Sequence, residues 1–323
     1  MGKVVALCVS QKKGERKRPV ESAAFVADHG IESDAHAGPW HRQVSLLAAE
    51  DIEALRQKGR LDLPPGCFAE NVIVRGLDLS SVGLGTCLRL GAEVLLSITQ
   101  IGKVCHSPCE IQRQTGDCIM PRLGLFARVT AGGRVQVGDS AEVQDQVPRS
   151  AFQAVVLTIS DRCSRGEADD TAGPAVARRL EESLGAHLYK KEIIPDEQVA
   201  IAGRLRHYCD GHSIDLVLAV GGTGFSPRDV TPEATRQVVE RLAPGLDEAM
   251  RAASLRLTPH AALSRGVCGI RGATLIVNLP GSQRAAVENL DVILPALGHG
   301  LAKLRGDPSD CGRPPAARGQ HVG

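Results

Sequence analysis

Apolar positions along the chain come in two textures, and the change between them divides it. Residues 4–9 form a first short apolar run, and 71–74, 87–90, 93–100, 134–137 and 140–143 repeat that β-like pattern. Glycines and prolines separate these runs at intervals of roughly ten residues, the spacing of a small barrel or closed sheet. One helix interrupts them, predicted over 46–58 with Ser45 as its N-cap and Gly59 as its stop. Beyond a polar, proline-bearing linker at 144–149, apolar runs alternate with helical segments. Buried-type strands are predicted at 154–159, 216–220 and 273–279, with a strand end near 192–197. Helices are predicted from the Asp170–Pro174 stretch through Leu184, then at 198–209, 232–241, 245–255 and 283–303. Strands alternating with helices predict a three-layer α/β/α sheet whose polar and glycine-rich strand ends collect along one rim. The chain therefore divides into a mostly-β barrel-like domain at 1–145, an α/β domain at 151–305, and a disordered tail at 306–323.

Composition agrees with two cores and removes some partners. The 323 residues, 43% hydrophobic, exceed one domain of ordinary size. Lys and Arg number 38 against 37 Asp and Glu, which argues against the electrostatic footprint that nucleic acid requires. One Trp, two Tyr and five Phe leave little from which to build a base-stacking platform. No apolar run approaches the roughly 20 residues of a spanning helix, so no membrane partner is expected. The N-terminal residues read as a first strand and not as a signal peptide. Ten cysteines without an export signal predict thiols in a reducing compartment, the cytoplasm.

The chemistry of the second half gathers after the run 216–220. Gly221, Gly222, Thr223 and Gly224 stop that strand, and glycines there allow positive φ and let backbone amides lie against an anion. Thr231, Pro232 and Glu233 read as an N-cap, a proline in the first turn and an acidic first turn. Strand, glycine turn, loop and helix form the place where open α/β sheets put ligands. The spacing matches neither the dinucleotide fingerprint nor the Walker A pattern. Arg228 and Asp229 beside the glycines supply what phosphate plus Mg²⁺ would need.

The first half offers looser clusters. His36, His41 and Arg42 sit with several carboxylates in a Gly-Pro loop, open to a metal, an anion or plain hydrogen-bonded loop structure. The basic loop 11–18 reads as a solvated face. Cys105, His106, Cys109 and Cys118 have spacings a zinc could use, but a second C-x-x-C pair is missing. A thiol activated by Lys103, His106 and Arg113 is the stronger reading, with small buried hydrophobes as the alternative.

Two resemblances follow from these residues. Asp34, His36, His41 to Val44, Phe68 to Asn71, Thr99, Gln100, Pro108, Cys109, Gly132, Gly133 and Val137 to Asp139 resemble the MOSC domain, the C-terminal type of molybdenum cofactor sulfurase, over about residues 1–143. That resemblance implies a β-barrel-like fold, with Cys109 carrying sulfur as a persulfide or contacting the molybdenum cofactor. Cys105 and Cys118 nearby leave the identity of the reactive thiol open, and His36, His41 and Arg42 are the expected ligand contacts. Thr158 to Arg162, Asp170, Gly173, Pro174, Pro195 to Glu197, Gly221 to Gly224, Arg228 to Pro232 and Asn278 to Ser282 resemble the molybdopterin adenylyltransferase family of MogA/MoaB type, over nearly all of 152–304. The resemblance implies transfer of AMP from Mg-ATP to the terminal phosphate of molybdopterin, with Asp196 and Asp229 holding Mg²⁺ or orienting the attacking phosphate. Gly221, Gly222, Thr223 and Gly224 would cradle phosphate. Ser160, Asp161 and Ser282 would contact pterin or nucleotide, and Asp170 would be structural. Trimers are the assembly this resemblance suggests. The alternative is a protein that binds or carries the cofactor without the transfer step.

Overall fold

In the computed structural model, residues 1–59, 62–103 and 118–308 are described. The N-terminal half contains β1 (Gly2–Val9), β2 (Arg18–Val20), β3 (Ser22–Val26), β4 (Gly30–Ile31), β5 (Val44–Ala48) and β6 (Val72–Arg75). It continues with β7 (Cys87–Leu90), β8 (Val94–Ile101), β9 (Leu125–Ala131), β10 (Gly133–Gln136) and β11 (Ser140–Asp145). The main sheet runs β11-β7-β8-β9-β5-β6-β1-β2, and β11 also pairs with β1. That last pairing closes a barrel, so no long edge is left to template association. Strand alternation fills it: Leu46, Val72 and Val74 point into one core with Leu88 and Leu96. Leu47 and Ile73 point outward, beneath Ile52 of the helix Ala49–Gly59 and beside Phe68.

Several expectations are corrected here. The helix starts at Ala49 and not at residue 46, because Val44–Ala48 is a wholly buried barrel strand. A short apolar run cannot be assigned by periodicity alone. Ser45 is consequently no N-cap; its hydroxyl bonds Ala69 O and Asn71 Oδ1 at 3.1 and 3.0 Å. The 144–149 segment is no free linker. Val147 exchanges hydrogen bonds with Thr86 Oγ1 (3.0 Å) and Gly83 N (2.7 Å). Lys17, assigned to a solvated face, is buried against Asp34.

The C-terminal half contains β12 (Gln153–Ile159), β13 (His187–Ile194), β14 (Leu216–Val220), β15 (Arg241–Leu242), β16 (Cys268–Arg271) and β17 (Thr274–Leu279). Their order is β13-β12-β14-β17-β16-β15, parallel through β17 and antiparallel beyond it. Val156, Leu218 and Val277 join the core formed with helices Ala172–Leu184 and Gln283–Leu304. Val155, Val217 and Ile276 join a different core, formed with helices Gln198–Gly211 and Thr231–Val238. Strands lined with apolar residues on both faces are what a parallel sheet covered twice requires. The parallel strands β12, β14 and β17 end together at Ile159, Val220 and Leu279, which defines one rim.

Candidate active site

At that rim lies a cleft of about 230 Å³, lined by Ser160, Asp170, Asp196, Gly221, Gly222 and Asp229 among others. The two aspartates singled out from the sequence therefore share one cavity, although 33 residues of chain separate them. Its floor is glycine for a steric reason. Gly221 has φ 113°, and a Cβ there would stand 2.3 Å from Ile159 O. Gly222 has φ 62°, and its Cβ would lie 2.4 Å from Thr231 Oγ1 and 3.0 Å from Asp196 Oδ1. No L side chain fits either place without displacing a wall of the cleft. Gly222→Ala is expected to cost ~1–3 kcal/mol of folding stability through this strain, as read from chemical denaturation midpoints.

The carboxylates are held by short reciprocal contacts. Asp161 N donates to Asp196 Oδ2 (2.7 Å), and Asp196 N donates to Asp161 Oδ1 (3.0 Å). Arg228 grips both oxygens of Asp161 at 2.9 Å. That guanidinium holds the Asp161 carboxyl below its ordinary range. Asp196 is pushed the other way, first by burial and then by the charges of Asp161 and Asp229. Ser226 N donates to Asp229 Oδ2 at 2.9 Å. Asp196 Oδ1 and Asp229 Oδ1 carry no protein hydrogen bond among the described residues, so each acid keeps one oxygen available.

Other residues singled out from the sequence also hold the local backbone. Asp170 accepts from Gly173 N (2.8 Å) and Thr158 Oγ1 (2.7 Å), the structural role foreseen for it. Ser160 accepts from Cys163 N at 3.2 Å while lining the cleft. Ser282 caps the helix Gln283–Leu304 through Ala285 N (3.4 Å), and its neighbour Gly281 is the residue that lines the cleft. The cleft thus takes in the entry to that helix and, at Thr171 and Ala172, the first turn of Ala172–Leu184, where free amides favour anions. Thr231, expected as an N-cap, is the first helical residue; its buried Oγ1 has no hydrogen-bond partner among the described residues and faces Gly222.

Thr223 and Gly224 face a second cavity of about 290 Å³. Asp247 Oδ1 is buried there without a hydrogen-bond partner among the described residues, while Oδ2 accepts from Cys268 N at 2.8 Å. Burial raises the Asp247 pKa. Arg265 was not singled out from the sequence, yet it ties this region together. It donates to Gly224 O (2.7 Å), Glu233 Oε1 (2.5 Å) and the Asp229 carbonyl. One arginine in a Ser-Arg-Gly loop carries no local signal of such a role.

Comparison with known proteins gives each half a family. Residues 155–299 match the family model described as "Probable molybdopterin binding domain", and residues 33–142 match that of the MOSC domain. The Drosophila melanogaster protein "Molybdenum cofactor synthesis protein cinnamon" is 44% identical over 154 residues, 48% of this chain. The chain spans only 26% of that relative's length. The Helicobacter pylori J99 protein "Molybdopterin adenylyltransferase" is 41% identical over 153 residues, 47% of this chain and 87% of that protein. The chain belongs to the molybdopterin adenylyltransferase family. The family's Escherichia coli K12 protein is 42% identical over 145 residues, 45% of this chain and 74% of its own. A solved structure, the molybdopterin biosynthesis enzyme MoaB from Thermus thermophilus, is 47% identical, covering 49% of this chain and 99% of its own with a TM-score of 0.47.

The adenylyltransferase likeness covers only the α/β half, so the N-terminal candidates stand on their own geometry. His36 Nδ1 lies 3.2 Å from Lys17 Nζ, and its carbonyl accepts from Trp40 Nε1 (2.7 Å). His41 Nε2 is 3.0 Å from Gln100 Oε1. Arg42 lies over the Trp40 ring at 5.0 Å. Cys118 is buried with Cys67, Phe68 and Ile119. Cys105, His106 and Cys109 fall outside the described residues. Among the described residues, no group of three or more His, Cys, Asp or Glu side chains is arranged to hold a metal ion. No helix among them is long and apolar enough to cross a membrane.

Proposed function

We propose that the α/β half, residues 151–305 on a three-layer α/β/α scaffold, adenylylates molybdopterin. The observation that carries this reading is the convergence of Asp196 and Asp229 on one glycine-floored cleft at the strand ends. In the reaction, an oxygen of the pterin's terminal phosphate forms a bond to the α-phosphorus of ATP. The bond from that phosphorus to the β-phosphate bridge breaks, and pyrophosphate leaves with the electron pair. Several negative charges meet, so catalysis is mostly positioning and charge neutralisation.

Mg²⁺ fits the donor set: two carboxylates, each with one free oxygen, suit a hard cation that completes its shell with substrate phosphates and water. Bound there, the ion would neutralise phosphate charge. The chain's own contribution is the backbone of Gly221 and Gly222, the helix entries at Thr171 and Gly281, and the Asp161–Arg228 pair that fixes Asp196. The second cavity suits the pterin ring, whose amino and ring N–H groups match the unpartnered Asp247 Oδ1. Asp247→Asn is expected to raise KM for the pterin ~10-fold, about 1.4 kcal/mol, and to leave kcat near wild type in steady-state assays.

We propose further that residues 1–145 handle sulfur or the molybdenum cofactor through Cys109, Cys105 or Cys118. The reading includes a homo-oligomer, a trimer as in the resembling family, working in the cytoplasm. Incubation with molybdopterin, Mg²⁺ and ATP tests the transfer step. Adenylylated pterin and pyrophosphate are the expected products; tight binding without either would make the chain a carrier. Mass spectrometry for a persulfide on Cys109 tests the sulfur role.

A further inference from the structure

The loop between β14 and the helix Thr231–Val238 carries Asp229, and none of residues 224–230 is fully buried. Phe225 is 67% exposed, and Ser226, Pro227 and Arg228 are exposed as well. Within the loop, Asp229 N donates to Ser226 O (2.8 Å) and Ser226 N donates to Asp229 Oδ2 (2.9 Å). Those bonds fix the carboxylate within its own turn, but not the turn against the cleft. Arg228 ties the turn to Asp161, yet its side chain is 57% exposed, and ion pairs in that setting contribute little. Thr231 N donates to Gly222 O at 3.1 Å and holds only the far end.

Arg265 spans both ends of that loop. Its backbone N donates to Thr223 O (2.9 Å) and its Nε to Gly224 O (2.7 Å), where the chain leaves the strand. Nη2 donates to the Asp229 carbonyl, and Nη1 to Glu233 Oε1 (2.5 Å) in the first turn of the helix that follows. A planar guanidinium presents its donors in a fixed fork, so these side-chain acceptors are held at set separations from one another. The arginine is itself anchored. Val267, two residues on, exchanges bonds with Asn278 of β17: Val267 N donates to Asn278 Oδ1 and Asn278 N to Val267 O, both at 3.2 Å. The rigidity of the sheet therefore reaches the loop through one side chain. Arg265 lines an open depression with Phe225, Pro227 and Glu233, separate from the aspartate cleft, and touches Asp229 at its backbone and not at its carboxylate.

We propose that Arg265 is a positioning residue for adenylyl transfer, acting through Asp229 by clamping both ends of the loop that presents this carboxylate to the cleft. The inference rests on the reading of the α/β half as a transferase. Asp229 depends on such a clamp more than Asp196 does. Asp196 is bonded through its N and its Oδ2 to Asp161, from a different segment, whereas Asp229 is bonded to its own turn. A misplacement of about 1 Å against the reacting atoms costs on the order of 10²-fold in rate. A lysine at 265 would keep a charge beside Glu233, but a point charge lacks the fork that reaches Gly224 O and Asp229 O together.

The test compares the full chain with Arg265→Gln, Asp229→Asn and the double variant. Two quantities are read: kcat for adenylyl transfer at saturating ATP and pterin, and amide hydrogen exchange by mass spectrometry. Arg265→Gln is expected to lower kcat by ~10-fold or more. Exchange over 225–230 should quicken by ~10-fold or more, while β12, β14 and β17 exchange as in wild type. Because Arg265 acts through Asp229, the double variant should fall within ~3-fold of Asp229→Asn alone; a general structural role would multiply the two losses. Arg265→Lys keeps the charge, so it remains informative if Arg265→Gln fails to fold, and a ~10-fold loss of kcat is expected there too. Wild-type kcat in a folded Arg265→Gln or Arg265→Lys, multiplied losses in the double variant, or unaltered exchange over 225–230 overturns the proposal. A wild-type chain that transfers no adenylyl group counts against the transferase reading, and the exchange measurement then still decides whether Arg265 holds the loop.

Discussion

Asp229→Asn is expected to lower adenylyl-transfer turnover by ~10²-fold or more, about 3 kcal/mol of transition-state stabilisation, while the fold survives. Asparagine keeps the size of the side chain and an oxygen that accepts from Ser226 N, so the loop geometry stays in place. What disappears is one negative charge facing the substrate phosphates. Asp196 cannot replace it, because burial already opposes its ionisation and Asp161 already uses one of its oxygens. Removing the Asp229 charge also removes one of the repulsions acting on Asp196, so the Asp196 pKa falls in the variant. The measurement is pyrophosphate release under saturating ATP and pterin, with circular dichroism melting as the control for folding. Near-normal turnover in a folded variant would reject the assignment of Asp229 to the reaction.

Most of the cleft was legible in the sequence because its parts sit where buried strands end. The run Leu216–Val220 is apolar at every position and stops at two adjacent glycines with positive φ. Alternation of long strands and helices then brings Ile159, Val220 and Leu279 to one rim, and the loops after them must meet there. Cap chemistry was harder to divide from ligand chemistry. Ser160 and Ser282 carry the same hydroxyl whether it holds a helix amide or a substrate, and each accepts from a helix amide. The barrel half was legible in part: the runs at 4–9, 71–74, 87–90, 93–100, 134–137 and 140–143 fall on β1, β6, β7, β8, β10 and β11. Strands such as Ser22–Val26 and Leu125–Ala131 mix small, polar and charged residues, so their pairing partners and not their own pattern determine them. Arg265's role and the contact of His41 with His212 were invisible for a related reason. Their roles arise from contacts between segments far apart in the chain, such as His41 with His212.

The largest stability effect is expected at Lys17, which the loop's basic composition had assigned to the surface. Its ammonium lies 2.6 and 2.7 Å from the two oxygens of Asp34, with both side chains essentially without solvent exposure. Burial alone would raise the Asp34 pKa; the contacts with His36, Lys17 and Ser10 N outweigh it and hold the carboxyl well below its usual range. Burial lowers the Lys17 pKa, against the support of Asp34. Glu70, pushed up to about 6 by burial, is a further acid close to that ammonium. Lys17→Met keeps the volume but leaves the Asp34 charge buried without its main partner, a loss of ~3–5 kcal/mol in denaturant-derived stability. A group with a depressed folded pKa contributes stability above its unfolded pKa of ~3.9 and loses it as pH falls through the folded value. The deficit of Lys17→Met against wild type should therefore be full at neutral pH and shrink on acidification below about pH 4. Adding Asp34→Leu to Lys17→Met should restore much of the loss, because the uncompensated charge and not the missing attraction causes it. A Lys17→Met protein as stable as wild type at pH 7 would mean that the pair is hydrated and the barrel base open to solvent.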